Sequence, residues 1–498
     1  MASIDTSIGL DALLAGFAAE PVPHRAIGGL SLDSRTVRRG DLFFACAGRE
    51  AHGLTFAAEA VRAGAAAVAW EPAPGVQAPV LPVPVVAVVH LARKVGGIAD
   101  RYYGAPSAAM SVAGVTGTNG KTSCTFFVAQ AASTLGRRCG VSGTLGAGFV
   151  GALDSVGLTT PDAITVHRTL ADLRGRGAHA VAMEVSSHAL DQGRVDGVRF
   201  DVAVLTNLSR DHLDYHGDMK SYGAAKARLF TEHAPRAAVL NCGDELGRAL
   251  VARVPATTEL VLIAPQDPMP ARAAWLAASS VESDAEGLHV SVRGSFGACE
   301  LRTRLLGAFN ADNLLAALGV LVLWGFRLED AASALAPVVA PPGRMERFGG
   351  GPGQPLAIVD YAHSPDALAK GLAAARAHCR GELWCVFGCG GDRDPGKRPQ
   401  MGAIAETHAE HVIVTNDNPR TEDPARIVAD ILAGMRMPER ALVERDRRAA
   451  IAAALHGARP GDAVLVAGKG HEDYQVIGAQ RLAFSDRAVI TELLRAQP

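Results

Sequence analysis

Residues 114–122 read Gly-Val-Thr-Gly-Thr-Asn-Gly-Lys-Thr and follow directly on an apolar run, Met110-Ser-Val-Ala-Gly. The run has the character of a strand, and the glycine-rich stretch with its Lys-Thr end is a turn that opens a helix. Such a turn points backbone N–H groups and a helix N-terminus at a phosphate chain. Lys121 would reach the outer phosphates and the Thr122 hydroxyl would ligate Mg²⁺. Val115 stands where the common form of this loop has its first glycine, so the shorter Gly117-x-x-Gly120-Lys121-Thr122 does the turning. The chain is therefore expected to handle ATP or GTP. A glycine-rich turn without a ligand would leave the Lys-Thr ending unexplained.

The rest of the chain repeats the grammar of that first unit. Short β-branched runs end in polar or glycine-rich residues at Val112–Val115, Ala180–Val185, Val202–Asn207 and Ala237–Gly243. Helix-like stretches, Ser123–Leu135, Ile164–Arg174 and Tyr222–His233, lie between them. Leu356–Tyr361, Leu383–Gly388, His411–Asn416 and Ala463–Gly470 continue the pattern. This is βαβ order, which predicts mostly parallel sheets wrapped by helices, with ligands gathered at the carboxyl ends of the strands. Breaks at Tyr103-Gly-Ala-Pro-Ser107 and Pro341-Pro-Gly343, the latter followed by Gly349–Gly353, divide the chain. The expectation is an α/β protein of three domains: a smaller mixed α/β domain over 1–107, a central P-loop domain over 108–342, and a Rossmann-like domain over 343–498. A length of 498 residues fits three domains.

Composition narrows the function. Hydrophobic residues make up 48% and charged residues 20%, enough for a normal core in each domain. A net charge of −2 argues against nucleic acid as the main partner. The stretch Val76–Ala92 is broken by Pro79, Pro82 and Pro84 and cannot span a bilayer; Val85–Val89 reads as a buried strand. The first residues lack a basic segment followed by an apolar core, so no leader is expected. The eight cysteines show no paired spacing; Cys385 and Cys389 have no second pair or histidines to complete a zinc site, and free thiols of a soluble cytoplasmic protein are expected.

Four polar clusters follow strands of the central segment: Thr159-Thr160-Pro161-Asp162; Glu184-Val-Ser186-Ser187-His188 with Gln192 and Arg194; Asn207–His216; and Lys226 among small residues of a helix. Mg²⁺ wants hard oxygen donors, which Thr122 and Glu184 supply, and His212 is an unusual addition. His188, His216 and His233 read as ordinary surface or packing histidines. Taken alone, Lys226 reads as a surface lysine and Glu184 equally as a paired structural carboxylate.

Thr-Gly-Thr-Asn-Gly-Lys-Thr, Glu184-Val-Ser-Ser-His, Asp211-His-Leu-Asp-Tyr-His, Gly307-x-Phe-Asn310-x-x-Asn313 and Gly343-Arg-Met-Glu-Arg347 occur in this order. Together they resemble the muramyl ligases, ATP-dependent enzymes that build the stem peptide of peptidoglycan, over essentially the whole chain. The resemblance implies a uridine-nucleotide domain, a central ATPase domain and a C-terminal domain for the incoming amino acid. It also implies roles for individual residues. Gly117, Thr118, Asn119, Gly120, Lys121, Thr122 and Ser123 would hold the ATP phosphates, Asn310 the adenine, and Arg344 with Asp360 would close onto ATP. Thr122, Glu184 and His212 would surround Mg²⁺. Lys226 would be the carbamylated lysine (N6-carboxylysine), which requires a desolvated amine. Lys121, Lys226, Arg344 and His212 would be the catalytic set. Leu32 and Ser34 of Leu32-Asp-Ser-Arg35, with the Arg49-Glu50-Ala51 turn, would contact the UDP end of the substrate. Thr159, Thr160, Ser186, Gln192 and Arg194 would hold its muramoyl-dipeptide side.

The third domain selects the amino acid. Asp417-Asn418-Pro419-Arg420 follows a strand and matches the motif of the relatives that add meso-diaminopimelate; lysine-adding relatives usually lack the arginine. The physics agrees, because a bidentate arginine suits the extra carboxylate of diaminopimelate. Arg393 is a second candidate clamp, and the Gly468 carbonyl with Glu472 would accept from the far ammonium. The substrates implied are UDP-N-acetylmuramoyl-L-alanyl-D-glutamate, meso-diaminopimelate and ATP, with no nucleic-acid or membrane partner and a monomeric state. Three rivals are a lysine-adding ligase, a folate-type polyglutamate ligase and a nucleotide switch. They are disfavoured respectively by Asp417–Arg420, by the Leu32–Arg35 domain, and by Lys226 together with a third α/β domain.

Overall fold

The computed structural model describes residues 7–19, 21–48, 51–265 and 270–496. Backbone contacts divide the chain into two compact units, 1–273 and 274–498.

In the first unit, four parallel strands lie in the order Gly29–Ser31, Asp41–Ala45, Ala67–Trp70 and Val85–Ala87. The sheet is covered on both faces, as parallel sheets are. Phe43 and Phe44 are neighbours in sequence and therefore point to opposite sides. Phe44 joins a core with Leu10, Leu13, Leu91, Val95 and Ile98, and Phe43 joins another with Ala57, Ala60 and Val68. The first of these cores also takes in Ala163 and Ile164.

The larger sheet of this unit runs Ala152–Asp154, Gly146–Phe149, Cys139–Gly143, Ala180–Glu184, Ser111–Thr116, Val202–Leu205, Ala237–Asn241 and Glu259–Ile263. The last six strands of that series are parallel, and the first two form an antiparallel edge. The chain leaves Ser111–Thr116, passes two places to one side, steps back to Ala180–Glu184, and then crosses to Val202–Leu205. Strand order thus reverses around Ser111–Thr116. The crevice beyond its carboxyl end, between Glu184 and Thr206, is a topological switch point, where ligands bind in open α/β sheets.

The second unit begins with three antiparallel strands, Ala273–Ser283, Leu288–Gly294 and Gly297–Thr303, followed by helices Asn310–Leu323 and Leu328–Leu335. Its C-terminal sheet has the order Glu346–Gly349, Leu356–Asp360, Ala463–Ala467, Leu383–Phe387, His411–Val414 and Leu442–Val443. All but the first strand are parallel. The Gly349–Gly353 run, read from sequence as part of a break, is the turn of the hairpin between the first two of these strands. Period-2 alternation sends Leu356, Ile358 and Leu465 to one core and Ala357, Val359, Val464 and Val466 to the other. Because Ala463–Ala467 inserts between Leu356–Asp360 and Leu383–Phe387, four loops converge at one edge: 360–364, 388–394, 415–422 and 468–473.

Beneath that edge lies a fully buried ion pair. Arg447 donates to Asp486 from Nε and Nη2 at 2.7 Å each, and to the carbonyl of Ala467 at 3.0 Å. All eight cysteines are free. Burial pushes the Cys385 and Cys389 thiols up to about 12, which makes them inert packing groups.

Removing one partner of a buried pair strands the other charge. Arg447→Met should therefore cost about 3–5 kcal/mol, and Arg447→Met with Asp486→Leu should restore most of it. Urea denaturation of the three proteins measures this.

Candidate active site

The phosphate loop is built as its sequence requires. Gly117 has φ +150° and Gly120 φ +85°, and the helix Lys121–Thr134 starts immediately after. A Cβ on Gly117 would meet the Thr206 hydroxyl at 1.8 Å, so no other residue fits. The neighbouring strand end staples the loop down. Thr118 N–H donates to the Asn207 carbonyl (3.0 Å) and Asn119 N–H to Asn207 Oδ1 (2.9 Å). The Asn119 carbonyl accepts from Thr206 Oγ1 (2.5 Å) and Asn207 Nδ2 (3.2 Å). The first-turn N–H groups at Gly120–Ser123 have no acceptor within the helix and can meet an anion.

Two lysines share one acceptor. Lys121 Nζ and Lys226 Nζ each donate to the Gly117 carbonyl at 2.8 Å, and Lys121 also donates to the Thr118 carbonyl at 2.9 Å. Lys226 is 1% exposed. Burial, with repulsion from Lys121 second, drives its pKa well below the usual lysine value; Asp211 opposes weakly. The surface-lysine reading thus gives way to the desolvated one. Tyr222, one helical turn earlier, places its ring 4.4 Å from Lys226 Nζ, and its hydroxyl lies 3.1 Å from Thr118 Oγ1.

Glu184 is buried at the end of its strand. Its Oε1 accepts from Thr122 Oγ1 (3.0 Å) and Thr144 N–H (2.8 Å), and its Oε2 from Thr144 Oγ1 (3.2 Å). The Thr122 hydroxyl and the Glu184 carboxylate thus face each other as hard oxygen donors, an arrangement that suits Mg²⁺. His212 is placed by other neighbours. Its Nε2 is 3.5 Å from Asp211, and its ring lies 4.9 Å from His188 and 5.9 Å from Tyr222. Among the described residues no three His, Cys, Asp or Glu side chains converge as a metal cage. His188 and His216 pack as rings. They join His212, Tyr215 and Tyr222 in one ring cluster, and burial, ahead of the neighbouring imidazoles for His188, holds both pKa values low. His233 packs near Phe200 and Asp196, outside the cluster.

The residues expected on the dipeptide side form a chain of bonds. Thr159 Oγ1 lies 3.0 Å from Thr144 Oγ1, and Thr160 Oγ1 donates to the Glu184 carbonyl (2.9 Å). Ser186 caps helix Ser187–Asp191. Arg194 donates to the Thr160 carbonyl (2.9 Å) and to Gln192 Oε1 (2.8 Å), and Gln192 Nε2 donates to the Tyr215 hydroxyl (3.0 Å). Ser34 donates to Glu59 (3.1 Å), and Leu32 is exposed beside it. Ala51 is exposed, whereas Arg49 and Glu50 lie outside the described residues.

In the second unit, Asn310 opens its helix with a buried side chain that donates to the Leu306 carbonyl (2.8 Å) and accepts from Asn313 (2.9 Å). Arg344 stands in a tight turn, flanked by Gly343 (φ +66°) and Met345 (φ +48°). Its guanidinium lies 4.6 Å from the Tyr361 ring, and its Nε is buried without a hydrogen-bond partner among the described residues. Asp360 beside it accepts from Met345 N–H (2.8 Å) and Ala362 N–H (3.0 Å); burial raises its pKa against the pull of Arg344.

The four loops at the carboxyl edge bring the acceptor candidates together. Arg420, at φ +51°, donates to the Gly391 carbonyl at 2.7 Å. A Cβ on Gly390 would stand 2.8 Å from Arg420 Nη1 and 3.8 Å from Arg393 Cγ, so both arginines border that glycine. Asp417 and Asn418 are buried, and Asn418 Nδ2 donates to Glu472 Oε2 (2.9 Å). Arg398, 1% exposed, ties the loops from below through Glu422 and Asp430, at 2.9 Å each. Thr144, Tyr222 and Lys469 were not picked out from sequence as site residues, and Asn207 only as the start of a polar cluster. Of the first three, Tyr222 had a usable signal, its four-residue spacing from Lys226.

Three family models match the chain: Mur ligase family, catalytic domain (26–103), Mur ligase middle domain (115–321), and Mur ligase, glutamate ligase domain (343–470). The chain belongs to the Mur ligase family, ATP-dependent peptide ligases. It is 51% identical over 469 residues to the UDP-N-acetylmuramoyl-L-alanyl-D-glutamate–2,6-diaminopimelate ligase of Xanthomonas campestris, covering 94% of each chain. To the ligase of the same name from Pseudomonas putida it is 48% identical, covering 94% of this chain and 95% of the other. A solved structure of a ligase with that name aligns with a TM-score of 0.75 at 35% identity, over 99% of both chains. The MurF ligase of Thermotoga maritima in complex with ADP shares the fold, with a TM-score of 0.59 at 18% identity over 94% and 96%.

Above its depressed folded pKa, Lys226 is neutral in the fold and takes up a proton on unfolding. Stability should therefore rise with pH from its depressed folded pKa up to 10.5, the ordinary value, because the unfolded chain binds the extra proton throughout that window. In CO₂-free buffer, the urea midpoint of Lys226→Met should lack this rise when compared with the parent at about pH 7 and about pH 9.5.

Proposed function

We propose that this protein joins meso-diaminopimelate to UDP-N-acetylmuramoyl-L-alanyl-D-glutamate at the expense of ATP, a step of peptidoglycan precursor synthesis in the cytoplasm. Residues 1–107 take the uridine nucleotide, 108–342 take ATP, and 343–498 take the amino acid. The protein acts as a monomer. No described helix is long and apolar enough to cross a membrane.

The observation that carries the acceptor assignment is the division of charge among the loops 388–394, 415–422 and 468–473. Arg420 and Arg393 border Gly390, and Glu472 is bonded to Asn418 of the Asp417–Arg420 loop. An acceptor bearing both a carboxylate and an ammonium at its far end satisfies both; L-lysine supplies only the ammonium.

The proposed chemistry has two steps. The D-glutamate carboxylate attacks the γ-phosphorus of ATP, forming an acyl phosphate and releasing ADP. The amine of diaminopimelate then attacks the acyl carbon, the C–O bond to phosphate breaks, and the amine proton passes to solvent or phosphate. Thr122, Glu184 and His212 would hold Mg²⁺, which supplies positive charge to the phosphate oxygens. Lys121 and the first turn of its helix hold the same oxygens as charge moves. The neutral Lys226 amine can add to CO₂, forming a carbamate and releasing one proton. The positive neighbour Lys121 is then paired with an anion instead of facing a like charge. Arg344 brings a buried, unsatisfied guanidinium nitrogen suited to a phosphate, and Asn310 borders the adenine. The acceptor amine must reach the acyl phosphate before water does.

Phosphate release should require all three substrates and should be far faster with meso-diaminopimelate than with L-lysine. Equal ATP turnover with and without the UDP-dipeptide would sink the ligase reading. Arg420→Lys should raise the acceptor KM by roughly ten- to a hundredfold, the worth of a charged hydrogen bond, with the ATP KM nearly unchanged. Labelling with ¹³C-bicarbonate should give a carbamate carbon resonance that is absent from Lys226→Met.

A further inference from the structure

Lys469 follows strand Ala463–Ala467, between two glycines with positive φ, Gly468 (+115°) and Gly470 (+55°). Its side chain has no exposed surface. A lysine ammonium carries three donors, and three acceptors surround this one. Asp417 Oδ1 lies at 3.4 Å, Asn418 Oδ1 at 3.1 Å and Glu472 Oε2 at 3.2 Å. Asn418 Oδ1 also accepts from Val476 N–H (3.0 Å), so Lys469 joins the 415–422 loop to the 468–476 segment.

Other charges stand near this set: Arg447, whose field also reaches Asp417 and Glu472, and Arg344, Arg487 and Asp473 around His471. Arg447 is spent on Asp486 and the Ala467 carbonyl. His471, adjacent to Glu472, is held toward neutrality by burial, and burial likewise keeps the Tyr361 phenol protonated. Lys469 is therefore the cation bonded to both Asp417 and Glu472.

We propose that Lys469 is a positioning residue of the acceptor pocket: it clamps Asp417, Asn418 and Glu472 into one set whose summed charge is a single negative, matched to one ammonium of the incoming amino acid. This rests on the acceptor assignment above. Two carboxylates in a partly buried site without an internal cation repel each other, and one takes up a proton. Glu472 would then lose either its charge or its aim. With Lys469 in place, one uncompensated negative charge is left for the ligand. All three bonds of Lys469 stay within the 415–422 and 468–473 loops, so its effect should fall on the acceptor.

The test uses the full-length protein with ATP, the UDP-dipeptide and meso-diaminopimelate. Lys469→Met removes charge and donors, whereas Lys469→Gln keeps a donor and removes only the charge. Each variant should raise the acceptor KM by about tenfold or more, leave the ATP KM within about twofold, and move the acidic limb of acceptor kcat/KM to higher pH. If Lys469→Met fails to fold, Lys469→Gln decides by the same criteria. A folded variant with an unchanged acceptor KM and pH limb overturns the proposal, as does a parallel rise in the KM for ATP and for acceptor. Absence of turnover by the parent protein with meso-diaminopimelate overturns the acceptor assignment itself, a result distinct from either.

Discussion

Parallel strands end on one edge, and that constraint organises both compact units. A parallel sheet needs a crossover between successive strands, so its loops alternate between the two edges and the helix-opening turns gather on one. In the first unit, strand order reverses around Ser111–Thr116, and the Gly117–Gly120 turn therefore opens into a gap flanked by Glu184 and Thr206. In the second, the late strand Ala463–Ala467 slips between two earlier ones and brings Lys469 and Glu472 against a loop 50 residues before them. In each case crossover order, rather than local conformation, sets the chemistry of the edge.

Both edges then handle charge in the same way. Each buries a lysine and gives its ammonium a definite set of acceptors. At the phosphate loop the set is one carbonyl shared with a second lysine, and burial together with that like charge favours the neutral amine. At the acceptor loops the set contains two carboxylates, which the lysine bridges. The same side chain thus serves as a reactive amine in one place and as an internal counterion in the other, according to the neighbours supplied by the fold. A buried arginine supports the second edge from below, with Arg447 held by Asp486. Arg398 ties Glu422 of the 415–422 loop to Asp430 of the helix Pro424–Leu432.

Legibility from sequence varied with the range of the interaction. The phosphate loop, the strand runs at Ala180, Val202, Ala237, Leu356, Leu383, His411 and Ala463, and the polar residues that follow them were readable, because strand period and turn chemistry are local. The family followed from five motifs in order. The burial of Lys226 was not readable from its own surroundings; small residues around a lysine are as common on a surface as in a core. It became interior because Gly117 and Tyr222 close over it. His188 and His216, read as surface or packing histidines, pack in a shared ring cluster that local sequence could not show, since His188 and His212 meet only when two helix starts share one crevice. Lys469 went unremarked because its three partners lie at 417, 418 and 472, and only one of them is near in sequence.

By itself the sequence determined the α/β class, the phosphate-binding turn, the order of the strands along the chain and the residue types available at their ends. Those depend on backbone sterics, hydrophobic period and glycine conformation, each of which acts over a few residues. The tertiary structure decided which strand ends became neighbours, and therefore which lysines were desolvated, which carboxylates were paired and which guanidinium nitrogens, among the described residues, were left without a partner. Ionisation and hydrogen-bond satisfaction depend on distance through space in a medium of low polarisability, and that distance exists only once the crossovers have placed the strands.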